Sequence, residues 1–195
     1  MEILFATGNA HKVSEASEIL ALHGYVVEQL LVNGECPVLV EPQAEGIEEV
    51  ALAKLEQARG IIGESVSSAV MAEDSGLFVD SLGGFPGPFS SYVESTVGIE
   101  AVLKLMQGEE SRGAEYRAAA VLAFGEEVMS CVGICRGTIS LIPSGNNGFG
   151  YDPIFIPDEG DGRTCGQMSS LEKSELSHRA RALKGLSELL KSPSK

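Results

Sequence analysis

The order of apolar patterns along the first 80 residues restricts the fold of this chain more than any other feature. Short apolar runs at 2–6 and 25–32 predict buried strands, and apolar residues at helical spacing follow them at 10–23 and 47–60. A further apolar run, at 69–72, predicts another strand. Strands that alternate with helices favour parallel pairing, because a helix can return the chain to the start of the next strand. The pattern therefore predicts an α/β protein.

The second half of the chain follows a different pattern. Three strand-like runs follow one another without a helix between them, at 115–124, 127–135 and 137–142. Gly125 and Glu126 join the first two runs, as in a hairpin. Apolar residues at helical spacing predict two more helices, near 97–107 and 171–191. We therefore expect a mixed parallel and antiparallel sheet with flanking helices, in a single domain over residues 1–195.

Charge excludes several classes of partner. The chain has 28 acidic residues against 14 lysines and arginines, a formal net charge of −14. Such a surface repels phosphate backbones and anionic lipids, so we expect no nucleic acid and no membrane among the partners. A small anionic ligand in a local pocket is still compatible with this charge.

Targeting and cysteine patterns indicate a cytoplasmic protein. The N-terminus has no basic stretch followed by a small-residue cleavage site, and no run approaches 18 uninterrupted apolar residues. The four cysteines form no C-x-x-C pair. We expect inert, reduced thiols, although the spacing alone leaves disulfides open.

The segment from Ala6 to Lys12 is the first candidate for ligand binding. A glycine turn that opens a helix directs backbone N–H groups and the positive end of the helix dipole toward one point, which suits a phosphate. Lys12 lies on the first helical turn, where its ammonium could reach the same anion. The simpler alternative is that Asn9 only caps the helix and Lys12 is a solvated surface residue. Spacing alone does not decide between them.

Acidic residues between predicted strands form the second candidate. Glu73-Asp74-Ser75-Gly76 follows the run at 69–72, and carboxylates at a strand end can hold a hard cation. Neighbouring residues of a strand point to opposite faces, so Glu73 and Asp74 should not share one ion. A second ligand could come from the next acidic cluster, namely Glu41, Glu45, Glu48 and Glu49. The alternative is an Asx turn that Gly76 completes.

Two later segments could contact a planar ring. Phe149 lies among glycines in the loop before Pro153, where it could stack on a base while Asp152 accepts hydrogen bonds from ring N–H groups. The alternative is a long hairpin loop with Phe149 packed on the core. Lys173 and Arg179 supply cations near the last helix, but they could equally belong to its solvated polar face.

Taken in order, five short segments resemble one known family. The segments are Ala6-Thr7-Gly8-Asn9 with Lys12 and Glu15, Glu73-Asp74-Ser75-Gly76-Leu77, Gly84-Phe85-Pro86-Gly87 with Ser90-Ser91-Tyr92, Gly148-Phe149-Gly150-Tyr151-Asp152-Pro153-Ile154-Phe155, and Glu172-Lys173 with Ser177-His178-Arg179. Together they resemble the inosine triphosphate pyrophosphatase family, which removes non-canonical purine nucleotides. The resemblance covers nearly the whole chain.

The resemblance implies an elongated mixed sheet in two lobes with a central cleft, a homodimer, and Mg²⁺-dependent hydrolysis of ITP, dITP and XTP to the monophosphate and pyrophosphate. It implies that Asp74 is the catalytic base and that Glu41 and Asp74 bind Mg²⁺. The residues implied to hold the triphosphate are Thr7, Gly8, Asn9, Ala10, His11 and Lys12, with Ser75 and Lys173. Those implied to surround the base are Phe149, Gly150, Tyr151, Asp152, His178 and Arg179. Lys54 matches a lysine that only part of the family has.

Substrate choice would then depend on the purine 6-position. The 6-oxo group of hypoxanthine or xanthine accepts a hydrogen bond from Arg179, whereas the amino group of adenine does not. Loss of Arg179 is accordingly expected to affect the choice between ITP and ATP more than folding. Two other functions are compatible with the motifs: a pyrophosphatase for pyrimidine or modified nucleotides, and a catalytically silent nucleotide sensor. The carboxylates Glu41, Glu73 and Asp74 speak against a sensor, since a sensor needs no base.

Overall fold

A computed structural model of the protein describes residues 1–63 and 68–191. The described part contains six strands: β1 (Glu2–Phe5), β2 (Val26–Gln29), β3 (Ala69–Val79), β4 (Gly113–Phe124), β5 (Glu127–Ile139) and β6 (Phe155–Pro157). It also contains six α-helices: α1 (Ala10–Ala21), α2 (Ile47–Ile62), α3 (Ser90–Val97), α4 (Ile99–Leu105), α5 (Ser170–Leu176) and α6 (His178–Lys191). Short 3₁₀ turns lie at Asp80–Leu82, Gly87–Phe89, Asp152–Ile154 and Cys165–Gln167.

The six strands form one mixed sheet, as the sequence predicts. Their order is β2-β1-β3-β4-β5-β6. β1 pairs in parallel with β2, where Ile3 is opposite Val27, and with β3, where Ile3 is opposite Ala69. β5 and β6 pair antiparallel, with Gly137 opposite Pro157. The α/β prediction, with parallel strands early in the chain and antiparallel strands later, is therefore confirmed.

One predicted turn is wrong, and the error concerns the acidic segment. Glu73, Asp74, Ser75 and Gly76 do not form an Asx turn between two short strands; they lie inside the single long strand β3. Gly76 allows this, because a Cβ added there would come within 2.2 Å of the Gly87 carbonyl oxygen. The residue that suggested a turn is thus required for close packing inside a strand.

Two predicted helices differ from those in the structure. The helix expected near 97–107 is α4, whereas α3 before it was not predicted; Gly98 separates the two helices and has a φ of 74°, in the left-handed region that favours glycine. The helix expected over 171–191 is α5 followed by α6, with Ser177 in an extended conformation between them. The second break places His178 and Arg179 at the start of a new helix.

Two other boundaries differ from the prediction. α2 continues through Gly60 to Ile62 and is capped by Gly63, whose N–H bonds to the Arg59 carbonyl. The runs predicted as separate strands at 127–135 and 137–142 belong to one strand, β5, which ends earlier than predicted, at Ile139; its last three residues, from Gly137, pair with β6.

The chain divides into two compact units, each with its own apolar core. Unit 1 comprises Met1–Asp74, Ala118–Gly133 and the residues from Arg179 onward; unit 2 comprises Ser75–Arg117 and Ile134–His178. The buried core of unit 1 combines residues of β1, α1, β3, β4 and α6, among them Phe5, Leu20, Met71, Leu122 and Leu186. The core of unit 2 includes Leu77, Met106, Ile139, Ile154 and Phe155. Within the described residues, no helix has the length and apolar character needed to cross a membrane.

Candidate active site

The loop between β1 and α1 is held in place by short polar side chains. Asn9 is the N-cap of α1, and its Oδ1 accepts hydrogen bonds from the backbone N–H groups of His11 and Lys12 at 3.0 and 3.4 Å. Thr7 Oγ1 accepts from the Asn9 N–H at 3.2 Å, and Gln29 on β2 donates its side-chain amide to the Thr7 carbonyl at 2.8 Å. The capping role of Asn9 is confirmed. The same contacts fix the positive end of the helix dipole.

Glu73 on β3 is a buried carboxylate between two cations. Lys12 Nζ lies 2.6 Å from Glu73 Oε2, and Arg179 Nε lies 3.2 Å from Glu73 Oε1. The other end of the Arg179 guanidinium contacts Glu15. The side chains of Glu73 and Arg179 are 0% and 2% exposed. Burial opposes the charge of Arg179, but Glu73 and Glu15 outweigh it and raise the pKa of the guanidinium above its usual value.

Asp74 belongs to a second cluster with different partners. Lys54 Nζ on α2 lies 2.7 Å from Glu41 Oε1 and 3.1 Å from Asp74 Oδ1. The other oxygen, Asp74 Oδ2, is buried and has no hydrogen-bond partner among the described residues. Desolvation raises the pKa of the Asp74 carboxyl above its usual value, and the nearby lysines only partly offset that effect. As expected from strand geometry, Glu73 and Asp74 therefore face different groups.

Glu41 and Asp74 are two carboxylates that could hold a hard divalent cation. Asp74 Oδ2 is a buried oxygen that a cation could satisfy, and the Glu41 side chain is half-exposed. Within the described chain, no group of three or more His, Cys, Asp or Glu side chains could hold a metal ion by itself. Mg²⁺ commonly binds through one or two carboxylates and takes its other ligands from water and substrate phosphates, so two carboxylates suit Mg²⁺ bound with a nucleotide.

In unit 2 the predicted ring-binding residues Phe149 and Asp152 lie together with Lys173. Lys173 Nζ is 2.7 Å from Asp152 Oδ2 and 4.6 Å from the centre of the Phe149 ring. The Phe149 N–H also donates to Asp152 Oδ2, at 2.8 Å. Asp152 is only 2% exposed, and these two donors hydrogen-bond its carboxylate in place of water. The half-buried Phe149 ring is therefore held by a cation–π contact as well as by its own backbone.

Two further predicted residues in unit 2 have other neighbours. The buried His178 ring stacks on Tyr116 of β4, with ring centres 4.6 Å apart and planes within 9°. Tyr151 is buried and donates its hydroxyl to the Ser90 carbonyl at 2.9 Å. Ser75 is half-buried on β3, next in sequence to Asp74.

The contacts in the structure do not follow the division into phosphate-binding and base-binding residues that the resemblance implies. Lys12 and Arg179, predicted for phosphate and base respectively, share one carboxylate in unit 1. Lys173, predicted for phosphate, contacts the predicted base residues Asp152 and Phe149. Sequence reasoning assigned no role to Tyr116, because an aromatic residue in a strand pattern is ordinary.

Comparison with known proteins then decides the family. The family model described as "Ham1 family" matches residues 3–189 of this chain. The chain belongs to the Ham1 family. A "dITP/XTP pyrophosphatase" of Methanopyrus kandleri is 43% identical over 194 residues, covering 98% of this chain and 97% of that protein. One of Pyrococcus horikoshii is 42% identical over 191 residues, covering 98% of this chain and 97% of its own length.

Solved Ham1 structures share the fold. A HAM1 protein from Coxiella burnetii superposes with a TM-score of 0.83 at 30% identity, covering 97% of this chain and 98% of its own. The Ham1 protein of Staphylococcus aureus gives a TM-score of 0.81 at 29% identity, covering 98% of both chains. The resemblance drawn from the five sequence segments is therefore confirmed for this Ham1 protein.

Proposed function

We propose that this Ham1 protein hydrolyses dITP, ITP and XTP to the nucleoside monophosphate and pyrophosphate. Relatives named dITP/XTP pyrophosphatase match it over nearly their whole length at about 40% identity. The enzyme is then a hydrolase that acts on a phosphoric anhydride and removes non-canonical purine nucleotides from the nucleotide pool.

The environment of Asp74 is the observation that supports a catalytic role. One of its carboxylate oxygens is held by Lys54, while the other is buried and has no hydrogen-bond partner in the described chain. A carboxylate fixed through one oxygen can accept a proton from water at the other. Desolvation raises the pKa of this carboxyl and makes it a stronger base. Asp74 therefore suits the activation of water.

Mg²⁺ is part of the same proposal. Glu41 and Asp74 would hold it, and the support for this is that both carboxylates already face one cation, the Lys54 ammonium. Mg²⁺ bound there would supply positive charge to neutralise the phosphate oxygens.

The remaining residues would bind and orient the nucleotide. The capped start of α1, from Thr7 to Lys12, suits the phosphates, because Asn9 fixes the turn and the helix dipole favours negative charge. Lys173 and Ser75 would assist in binding the phosphates. Phe149 offers an aromatic face for the purine, beside Asp152. Tyr151, His178 and Arg179 complete the proposed base site.

We further propose a homodimer that works in the cytoplasm. Large apolar side chains are exposed within the stretch 85–97, namely Phe85, Phe89, Tyr92 and Val97, and a second copy could cover them. Cys36, Cys131 and Cys165 carry free thiols, which suits a reducing compartment. Sedimentation equilibrium tests the dimer, and a purely monomeric protein at micromolar concentration would contradict it.

Pyrophosphate release from a panel of nucleotides tests the activity. We expect Mg²⁺-dependent turnover of dITP, ITP and XTP, with ATP and dUTP much slower. GTP shares the 6-oxo group, so its turnover shows whether the enzyme also distinguishes the purine 2-position. The Asp74→Asn variant is the control for contaminating phosphatases. A preference for dUTP would favour a pyrimidine-directed enzyme, and tight nucleotide binding without turnover would favour a sensor.

A further inference from the structure

The segment that carries Glu41 lacks secondary structure of its own. Residues 36–45 lie between β2 and α2 and form neither helix nor strand. Pro37 and Pro42 have no backbone N–H to donate. Within the described residues, the main chain of 36–45 makes no hydrogen bond to another main-chain group. The hydrogen bonds that its main chain makes to the rest of the described chain therefore come from side chains.

Gln57 on α2 supplies the missing main-chain contacts. Its Oε1 accepts the Val40 N–H at 2.8 Å, and its Nε2 donates to the Val40 carbonyl at 2.8 Å. Nε2 also donates to the Ala53 carbonyl at 3.1 Å, which ties the amide to its own helix. One side chain thus satisfies both backbone groups of Val40, as a neighbouring strand would.

Val40 directly precedes Glu41, and Lys54 lies one helical turn before Gln57. Residues at this spacing share a helix face. Gln57 holds the main chain at Val40, while Lys54 contacts the Glu41 carboxylate and Asp74. The Glu41 side chain is 51% exposed, so packing does little to restrict its rotamers. The positions that the Glu41 carboxylate can reach therefore depend on how firmly the main chain is held at Val40.

We propose that Gln57 is a positioning residue, which fixes the main chain at Val40 so that the Glu41 carboxylate is directed toward Asp74. The proposal rests on the metal role given to Glu41 and Asp74 under the proposed function. Residues that orient metal ligands without touching the metal typically change metal affinity by about 10- to 100-fold. Gln57 is half-buried, but its two hydrogen bonds to Val40 are exposed to solvent, so their loss should lie near the lower end, about tenfold.

Gln57→Met tests the proposal, because methionine preserves the length of the side chain and removes all three hydrogen bonds of the amide, two to Val40 and one to Ala53. Glu56→Met is the matched control, an exposed neighbour on the same helix. Two quantities are measured: the Mg²⁺ concentration for half-maximal pyrophosphate release, and Mn²⁺ affinity by electron paramagnetic resonance with an imido analogue of dITP. We expect Gln57→Met to weaken both about tenfold, with kcat at saturating Mg²⁺ unchanged. Glu56→Met should match the wild type.

A cycle with Glu41→Gln separates the two proposals. If Gln57 acts through Glu41, adding Gln57→Met to Glu41→Gln has no further effect on metal affinity. If Glu41→Gln leaves metal affinity unchanged, the metal role of Glu41 is wrong, and the positioning role falls with it. If Glu41→Gln weakens the metal but Gln57→Met does not, only the positioning role is overturned. An equal loss in kcat and metal affinity for Gln57→Met also overturns it, since that pattern indicates general damage.

Discussion

Replacing Arg179 by methionine should cost more stability than a change at a surface arginine. Arg179 is 2% exposed and contacts Glu73, which is 0% exposed, as well as Glu15. Removing one partner of a buried ion pair typically costs about 3 to 5 kcal/mol, because the remaining charge stays buried. A domain of this size loses about 2 to 4 °C in Tm for each kcal/mol. We therefore expect Arg179→Met to lower Tm by about 6 to 20 °C.

Thermal unfolding followed by circular dichroism, supported by urea denaturation, measures this effect. Lys184→Met is the matched control, since it removes an exposed cation from the same helix and should change stability by less than about 0.5 kcal/mol. Adding Glu73→Gln to Arg179→Met should recover part of the loss, because the uncompensated charge then leaves the interior. If Arg179→Met melts together with the Lys184→Met control, the guanidinium is not part of a buried ion pair.

The same variant tests the base-reading role expected from the sequence. That expectation places the main effect on the choice between ITP and ATP, whereas the contacts of Arg179 require a large effect on folding as well. Turnover of both nucleotides should be compared well below the melting temperature of the variant. An unchanged ratio of kcat/KM values in the folded variant would remove Arg179 from base recognition.

Three other results follow from individual side chains. Asp74→Asn should lower turnover at least about 100-fold while binding of a nucleotide analogue stays measurable by calorimetry; full activity would remove Asp74 from the reaction. The hydrogen bond from Arg163 lowers the pKa of Glu172 to about 2. Its stabilising contribution is therefore complete above the unfolded value of about 4.3 and is lost as the pH falls through the folded value. A carboxyl NMR titration with an ordinary midpoint would contradict this. Burial raises the pKa of the Cys165 thiol to about 12. A disulfide reagent should therefore modify Cys36 in the folded protein and Cys165 only after unfolding. Equal modification rates for the two thiols in the folded protein would contradict the burial of Cys165.

Local sequence patterns correctly predicted the strands, helices and caps that are determined by residues close together in the sequence. β1, α1 and the Asn9 cap follow from an apolar run, helical spacing and a polar residue before the helix. The predicted turn at 73–76 was wrong because the constraint is tertiary: Gly76 packs against Gly87. Ser177 breaks the last helix without glycine or proline, so the local sequence contained no breaking signal.

The candidate site was predictable as a set of residues but not as a set of contacts. The five motif segments identified Glu73, Asp74 and Arg179. Arg179 and Glu73 are 106 residues apart, and no periodicity links residues at that separation. Nothing in the sequence indicated a role for Gln57 either, since a polar residue in an amphipathic helix is ordinary. Contacts between residues that are far apart in the sequence could therefore be identified only from the structure.

The paired charges in unit 1 change how a triphosphate could be held by a chain with a net charge of −14. From the sequence we expect the charge to be reversed locally by the start of α1, Lys12, Lys173, Arg179 and a divalent cation. In the structure the side-chain cations of unit 1 are already paired: Lys12, Lys54 and Arg179 face four carboxylates, those of Glu15, Glu41, Glu73 and Asp74, a formal excess of one negative charge. A triphosphate approaching this cluster needs additional positive charge, which a divalent cation would bring.

Nucleotide affinity itself, and not only turnover, should therefore depend on Mg²⁺. We expect the imido analogue of dITP to bind at least about tenfold more weakly when Mg²⁺ is chelated, a difference of about 1.4 kcal/mol, measured by titration calorimetry at constant ionic strength. An analogue of dATP measured in parallel shows whether the metal acts on the phosphates that both nucleotides share, in which case both affinities fall by the same factor. Equal binding of the dITP analogue with and without Mg²⁺ would mean that the lysines and Arg179 exchange their carboxylate partners for phosphate. The charge would then be reversed by rearrangement of side chains instead of by the metal.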